Sequence, residues 1–295
     1  MGKYLYRIYG AILESDIEIP YLVKAEDAAD IFFERKVFSG EEKKALTREY
    51  VVLGKDHSSF YNDELICAVE GGERVLYEPA PGADPDRIRS FLLGYGLAML
   101  FLQRGKLAIH CSGVRMGDKA VLISGRSGAG KSTLTRQFLE HGYKLMADDM
   151  IVAGLENGMA LVYPAFPAAK LCTDVIEQKG IDTQGLMHIT ENKDKYIVPY
   201  EDEFSCEPAE LGLLCIIAVL SPEAEVEMME LRGAEKLKML IDSLFIERSI
   251  MFSGNNPVTV ALAAELASKI RVILIGRPDK KNTASQLFEI VEKAL

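Results

Sequence analysis

The chain has 295 residues, 48% of them hydrophobic and 26% charged, a composition that suits a globular protein with a core of its own. Its formal net charge is -10, from 34 basic and 44 acidic side chains, which argues against a dominant nucleic-acid or anionic-membrane surface. The five cysteines (Cys67, Cys111, Cys172, Cys206 and Cys215) include no C-x-x-C pair, so buried thiols in a reducing cytoplasm are expected, not a disulfide framework or a zinc site.

The N-terminus, MGKYLYRIYG, lacks the basic-then-apolar layout of a signal peptide, and Tyr6 stands where myristoylation prefers Ser or Thr. Residues 4–12 combine aromatic and β-branched side chains with partial alternation and read as a strand, as do 31–37, 49–54 and 65–69. Gly71-Gly72 is expected to turn a hairpin into residues 73–77. His57 falls in a polar stretch, Lys55-Asp56-His57-Ser58-Ser59, and reads as a solvated loop residue. A Pro- and Gly-rich linker spans 79–85, with Asp84 placed to cap a helix and Pro85 at its first position. Residues 87–103 read as a leucine-rich helix between the two halves, too short in its apolar part to span a bilayer. A strand-rich domain, open to a partner or peptide, is therefore expected over 1–85, and a second domain over 86–295.

Residues 107–120 are expected to form a strand carrying His110, a hairpin at Gly117-Asp118, and the approach to a buried strand over 121–124. The most specific signal of the chain follows. Gly125, Arg126, Ser127, Gly128, Ala129, Gly130, Lys131 and Ser132 match the full G-x-x-x-x-G-K-[ST] pattern, ahead of a helix-like stretch, 132–141, ended by Gly142. In such a loop the glycines let backbone N–H groups face a phosphate, and the first turn of the helix, Thr133 included, adds its positive end. Lys131 then reaches the β- and γ-phosphates and the Ser132 hydroxyl binds Mg²⁺. The expected ligand is a nucleoside triphosphate with Mg²⁺. Gly125-Arg126-Ser127-Gly128 overlaps a hydrolase G-x-S-x-G elbow only in part, because Ala129 replaces its last glycine.

Residues 143–147 read as a second strand ending at Asp148-Asp149. Consecutive strands of such units are commonly neighbours, so both acids are expected at the carboxyl edge facing the triphosphate. Adjacent side chains on a strand point to opposite faces. One carboxylate is thus expected in the Mg²⁺ shell and the other as base for an attacking hydroxyl. A lone strand histidine such as His110 reads, by position, as a core residue.

Farther along, Asn157-Gly158 marks a hairpin, and the prolines within 163–171 exclude regular helix. A short helix over 174–179 ends at Gly180, and 181–200, with its polar run at 191–195, reads as a mobile connection. The uninterrupted apolar run 211–220 is expected as a central strand. Amphipathic helices over 233–246 and 258–268, a buried strand over 271–275 and a terminal helix over 283–295 complete the chain.

Three segments together resemble the catalytic core of the HPr serine kinase/phosphorylase family: Ile109-His110-Cys111-Ser112-Gly113-Val114, residues 125–132, and Leu145-Met146-Ala147-Asp148-Asp149. The fit is nearer to the shorter HPr-kinase-like proteins, among them kinases of precursor peptides, which share stretches like 9–20, 166–171 and 273–279. The resemblance implies an α/β, phosphoenolpyruvate-carboxykinase-like P-loop kinase domain behind the small strand-rich domain. It also implies ATP- and Mg²⁺-dependent transfer of the γ-phosphoryl group to a serine or similar hydroxyl of a protein or peptide. By the same carry-over His110 contacts the transferring phosphoryl group or the acceptor. Asp148 and Asp149 supply metal contact and general base, with Asp149 preferred as base. Lys170 and Arg277 become further candidates for phosphate contact. The family's second signature, Glu-Ile-Arg-Gly-Leu-Gly-like, has no nearer counterpart than Glu210-Leu211-Gly212-Leu213-Leu214, which leaves HPr recognition, reverse phosphorolysis and a hexamer without support. Two alternatives stand beside this reading. One is a small-molecule kinase acting on free serine or a sugar, with 181–200 as its lid; the other is a nucleotide-gated binding protein with little catalysis.

Overall fold

The computed structural model describes residues 2–190, 194–246 and 257–295. β1 (Tyr4–Ile8) and β2 (Ala11–Ser15) form an antiparallel hairpin. The single strand expected over 4–12 is interrupted by Tyr9 and Gly10, whose φ of 50° and 72° make them the two central residues of a tight turn. Next come β3 (Val23–Lys24), β4 (Ile31–Arg35), helix α1 (Gly40–Leu46), β5 (Val51–Val52), β6 (His57–Tyr61), β7 (Leu65–Glu70) and β8 (Arg74–Pro79). They assemble into a sheet of order β3-β1-β2-β4-β8-β7-β6-β5. His57 is not in a loop: it opens β6, its exposed ring 4.0 Å from Glu70 on β7. The polar composition hid this strand because Ser58 and Ser59 are buried, Ser58 exchanging hydrogen bonds with the Gly54 backbone.

Asp84 caps α2 (Pro85–Phe91) as expected, its carboxylate accepting the Asp86 N–H at 2.9 Å, with Pro85 first in the helix. A π-helical turn, Leu92–Gly96, carries α2 into α3 (Leu97–Gln103). At Gly96 a Cβ would stand 3.2 Å from Val75 Cγ1 of β8, so the missing side chain lets the helix lie close on the sheet. At its end, Gln103 accepts the Gly72 N–H and donates to the Val69 carbonyl of the β7–β8 hairpin. These contacts bind the leucine-rich helix to the N-terminal strands, so the chain does not part near residue 85. One compact unit takes the described residues up to 105 together with 166–201, and the other takes the rest.

The second unit holds β9 (Leu107–Ile109), β10 (Ser112–Met116), β11 (Lys119–Gly125), α4 (Lys131–Glu140), β12 (Lys144–Ala147), β13 (Ile151–Glu156) and β14 (Met159–Tyr163). The chain then supplies the first unit with β15 (Ala168–Cys172), α5 (Thr173–Lys179), β16 (Met187–Thr190) and β17 (Asp194–Pro199), in the sheet β15-β17-β16. Much of the expected mobile connection is therefore strand; 191–193 of its polar run lie outside the described residues. β18 (Ala209–Leu220), β19 (Glu227–Glu230), α6 (Gly233–Asp242), α7 (Pro257–Lys269), β20 (Arg271–Pro278) and α8 (Ala284–Ala294) return to the second unit.

Its sheet runs β12-β10-β11-β18-β14-β13-β9, and β20 pairs with β18 along its later half. β18 is central, as its apolar run required. Val121, Ile123, Leu213, Cys215 and Ile217 alternate onto one face, where they pack against Leu134 and Phe138 of α4 and Leu287, Phe288 and Val291 of α8. β11 and β12, expected as neighbours, are separated by β10, which pairs antiparallel with both. The tight hairpin at Gly117-Asp118 seats β10 against β11 before the helical crossover returns, so β12 must take the next place outward.

Candidate active site

Because β10 runs against β11 and β12, its amino end shares a sheet edge with their carboxyl ends. Ser112 pairs with Ile123 and Gly113 with Ala147, which sets Ser124-Gly125, Cys111-Ser112 and Asp148-Asp149 side by side. β20, parallel to β18, ends at the same edge: Gly125 pairs with Ile217, and Arg277 with Val219 two residues farther along. Open α/β sheets take their ligands at such carboxyl ends.

The glycine-rich loop joins β11 to α4. Gly125, Gly128 and Gly130 have φ of 148°, 80° and 106°. A Cβ on Gly125 would lie 2.6 Å from the Ile217 carbonyl oxygen, so only glycine fits this close approach of β11 to β18. Arg126, Ser127 and Gly128 are exposed, while Ala129 is buried in the core below, its N–H donating to the Arg126 carbonyl at 3.0 Å. α4 begins without a side-chain cap, so its first-turn N–H groups present their positive end at the loop, where Ser132 and Thr133 are exposed. Lys131 folds back over the loop, its Nζ donating to the Gly125 carbonyl at 2.7 Å.

His110 sits in the break between β9 and β10, not on a strand. Its N–H donates to the Ser243 carbonyl at 2.8 Å, and its own carbonyl accepts the Ser124 hydroxyl at 3.0 Å. Nor is it a core residue: the side chain is 42% exposed, with Nδ1 3.4 Å from Asp149 Oδ1 and the ring centroid 6.0 Å from that of Phe245. Asp148 accepts a hydrogen bond from the buried Ser112 hydroxyl at 2.9 Å. Asp149 has φ 79°, a left-handed conformation that kinks the chain directly after Asp148. The two acids thus take different partners from one short segment, Ser112 for the first and His110 for the second. Cys111, between those partners, is fully buried, and burial pushes its thiol well above the usual range, against a nucleophilic role.

Arg277 points its guanidinium at the loop's main chain. Nε donates to the Ala129 carbonyl at 2.7 Å, Nη2 to Gly128 at 3.2 Å and Nη1 to Pro278 at 3.0 Å. Lys170, the other candidate, belongs to β15 of the first unit. Sequence reasoning missed Ser112 as the partner of Asp148, although its place two residues after His110 was a usable signal. It also missed Phe245, which carries none. Among the described residues, no three His, Cys, Asp or Glu side chains gather as a metal site, and no helix is long and apolar enough to cross a membrane.

No family model matches the chain. Curated relatives match it in part: the HPr kinase/phosphorylases of two Treponema pallidum strains, strain Nichols and a second one of subspecies pallidum, are each 38% identical over 56 residues. That segment is 19% of this chain, and the chain spans 18% of the length of those relatives. The solved Hpr(Ser) kinase/phosphatase from Coxiella burnetii is similar at 17% identity and a TM-score of 0.32, over 63% of this chain and 94% of that one. The likeness to HPr kinase/phosphorylases read from the motifs is thus also found among curated proteins.

Proposed function

We propose that this protein is a phosphotransferase that binds ATP at the loop from Gly125 to Ser132 and transfers the γ-phosphoryl group to a serine or similar hydroxyl of a protein or peptide. One observation carries the reading: the glycine-rich loop, His110, Asp148 and Asp149 converge on a single sheet edge. A phosphoenolpyruvate-carboxykinase-like P-loop domain is the finer fold assignment that fits it.

In this reading the loop N–H groups and the positive end of α4 cradle the β- and γ-phosphates, and Lys131 turns from the Gly125 carbonyl to their oxygens. Asp149 takes the proton of the acceptor hydroxyl as its oxygen bonds to the γ-phosphorus and the bond to the β–γ bridging oxygen breaks, leaving ADP. His110 orients that carboxylate from 3.4 Å. Asp148, held by Ser112, and the exposed Ser132 hydroxyl are the protein oxygens that would hold Mg²⁺. One carboxylate and one hydroxyl fit an ion that takes the rest of its shell from phosphates and water. When bound, Mg²⁺ supplies neutralisation of the phosphate charge.

Incubation with γ-labelled ATP, Mg²⁺ and serine-bearing peptides tests the assignment. Transfer is expected in the wild type, lost in Lys131→Ala together with ATP affinity, and lost in Asp149→Asn with affinity kept. Transfer surviving in Lys131→Ala would refute this site. Tight ATP binding that Asp149→Asn leaves untouched, with no acceptor phosphorylated by the wild type, would point to a nucleotide-gated binding protein.

A further inference from the structure

We propose that Arg277 is the positioning residue of the glycine-rich loop, setting nucleotide affinity through the main chain and not by touching a phosphate. The proposal rests on the nucleotide-binding reading above. Three nitrogens of the guanidinium are engaged by main-chain carbonyls, those of Ala129 at 2.7 Å, Gly128 at 3.2 Å and Pro278 at 3.0 Å. In a planar trans peptide the carbonyl and the following N–H point in opposite directions. Holding the Ala129 carbonyl toward Arg277 therefore turns the Gly130 N–H away from it, into the bend where a phosphate is cradled.

Two further features tie Arg277 to that peptide. Gly130 has φ 106°, an angle that favours glycine, and the Arg277 guanidinium lies directly beside it, its Nε 3.4 Å from where a Cβ would stand. The arginine is itself carried on a strand: Arg277 is in register with Val219 of β18, and Ile217 of β18 is in register with Gly125 at the start of the loop. The donor and the first loop residue are thus fixed to one central strand. A planar fork suits two successive carbonyls, which the single point charge of a lysine cannot span.

A contact of this kind acts on the ground state and the transition state alike, so it moves KM for ATP and leaves kcat nearly unchanged. The test measures ATP, ADP and AMP binding by calorimetry, and transfer kinetics, for the wild type, Arg277→Ala and Arg277→Lys. Arg277→Ala is expected to weaken ATP and ADP equally, by about 10- to 100-fold for one charge-assisted hydrogen bond. KM should rise in parallel and kcat stay within a few-fold. Arg277→Lys, which keeps the charge but on a single nitrogen, should recover part of the affinity, and it decides the question if Arg277→Ala does not fold. Unchanged ATP affinity in both variants, or a fall in kcat at constant KM, would overturn the positioning role. A wild type that binds neither ATP nor ADP would bring down the nucleotide reading, and this proposal with it.

Discussion

Asp149 carries its carboxylate on a left-handed backbone, φ 79°, and substitution can separate that conformation from its chemistry. A residue with a Cβ costs about 1–2 kcal/mol there, and Asp or Asn less, because their short polar side chains bond locally. Asp149→Ala removes that tolerance along with the His110 contact. The contact joins side chains 42% and 29% exposed, so screening limits it to roughly 0.2–1 kcal/mol. Asp149→Ala should therefore lose about 1–2 kcal/mol, equivalent to a fall in Tm of about 2–8 °C for a unit of this size. Asp149→Gly relieves the backbone but loosens the unfolded chain by about 0.4–1 kcal/mol, so it should stay within about 1 kcal/mol of wild type and above the alanine variant. Asp149→Asn should keep wild-type stability. Urea unfolding of the four proteins side by side reads this order, and transfer assays should show all three variants down by about 10²- to 10⁴-fold. A glycine variant as unstable as the alanine one would refute the strain argument. Wild-type transfer in Asp149→Asn would remove Asp149 as the base.

Ser112→Ala deletes the buried donor to Asp148, so ATP affinity in the presence of Mg²⁺ should fall about 10-fold while Mg²⁺-free binding holds, as paired titrations would read. At α1, the Lys36 ammonium, 2.8 Å away, and the Ser39 N–H and hydroxyl hold the Glu42 carboxyl down at about 2, against its ordinary 4.5. A lowered acid stabilises the fold above its unfolded pKa and loses that contribution as pH falls. Amide protection factors in α1, taken relative to the intrinsic exchange rate at each pH, should therefore fall from about pH 4.5 to about pH 2, and Glu42→Gln should flatten the change. Burial raises the thiols of Cys67, Cys111 and Cys215, the last to about 12, whereas Cys206 is exposed. A thiol reagent at neutral pH should modify Cys206 first and reach the buried three only on unfolding.

Features whose signals are local could be read directly. The strand, glycine loop and helix over 119–140 follow from residue types at fixed spacing, and so do the Asp84-Pro85 helix start and the Asn157-Gly158 turn, with φ of 52° and 77°. Long-range placement could not be read this way. Nothing in the periodicity of 107–147 says that β10 inserts between β11 and β12. Nothing in the composition of Lys55–Ser59 says that its serines are buried and paired inside a strand. His110 was half legible: its neighbourhood to the glycine loop followed from the chain order, but the break that takes it off the strand and sets its ring beside Asp149 involves Ser243, over a hundred residues away.

The insertion of β10 that defeats the neighbour expectation also bears on how the site works. Were β12 beside β11, its terminal acids would lie one strand spacing, about 4.8 Å, from the end of β11; with β10 between them the separation is about twice that. β10 also brings the partners that distinguish the acids, since Ser112 is its first residue and His110 lies just ahead of it. Gly113 completes the fit: a Cβ there would come within 3.0 Å of Ile151 Cδ1, so glycine lets the strand lie flat against the core beneath the site. A single five-residue segment, Ile109–Gly113, thus pairs and seats both carboxylates, Ser112 on the side of the metal-holding acid and His110 on the side of the base, so substitution of His110, unlike that of Ser112, should alter transfer more than nucleotide affinity.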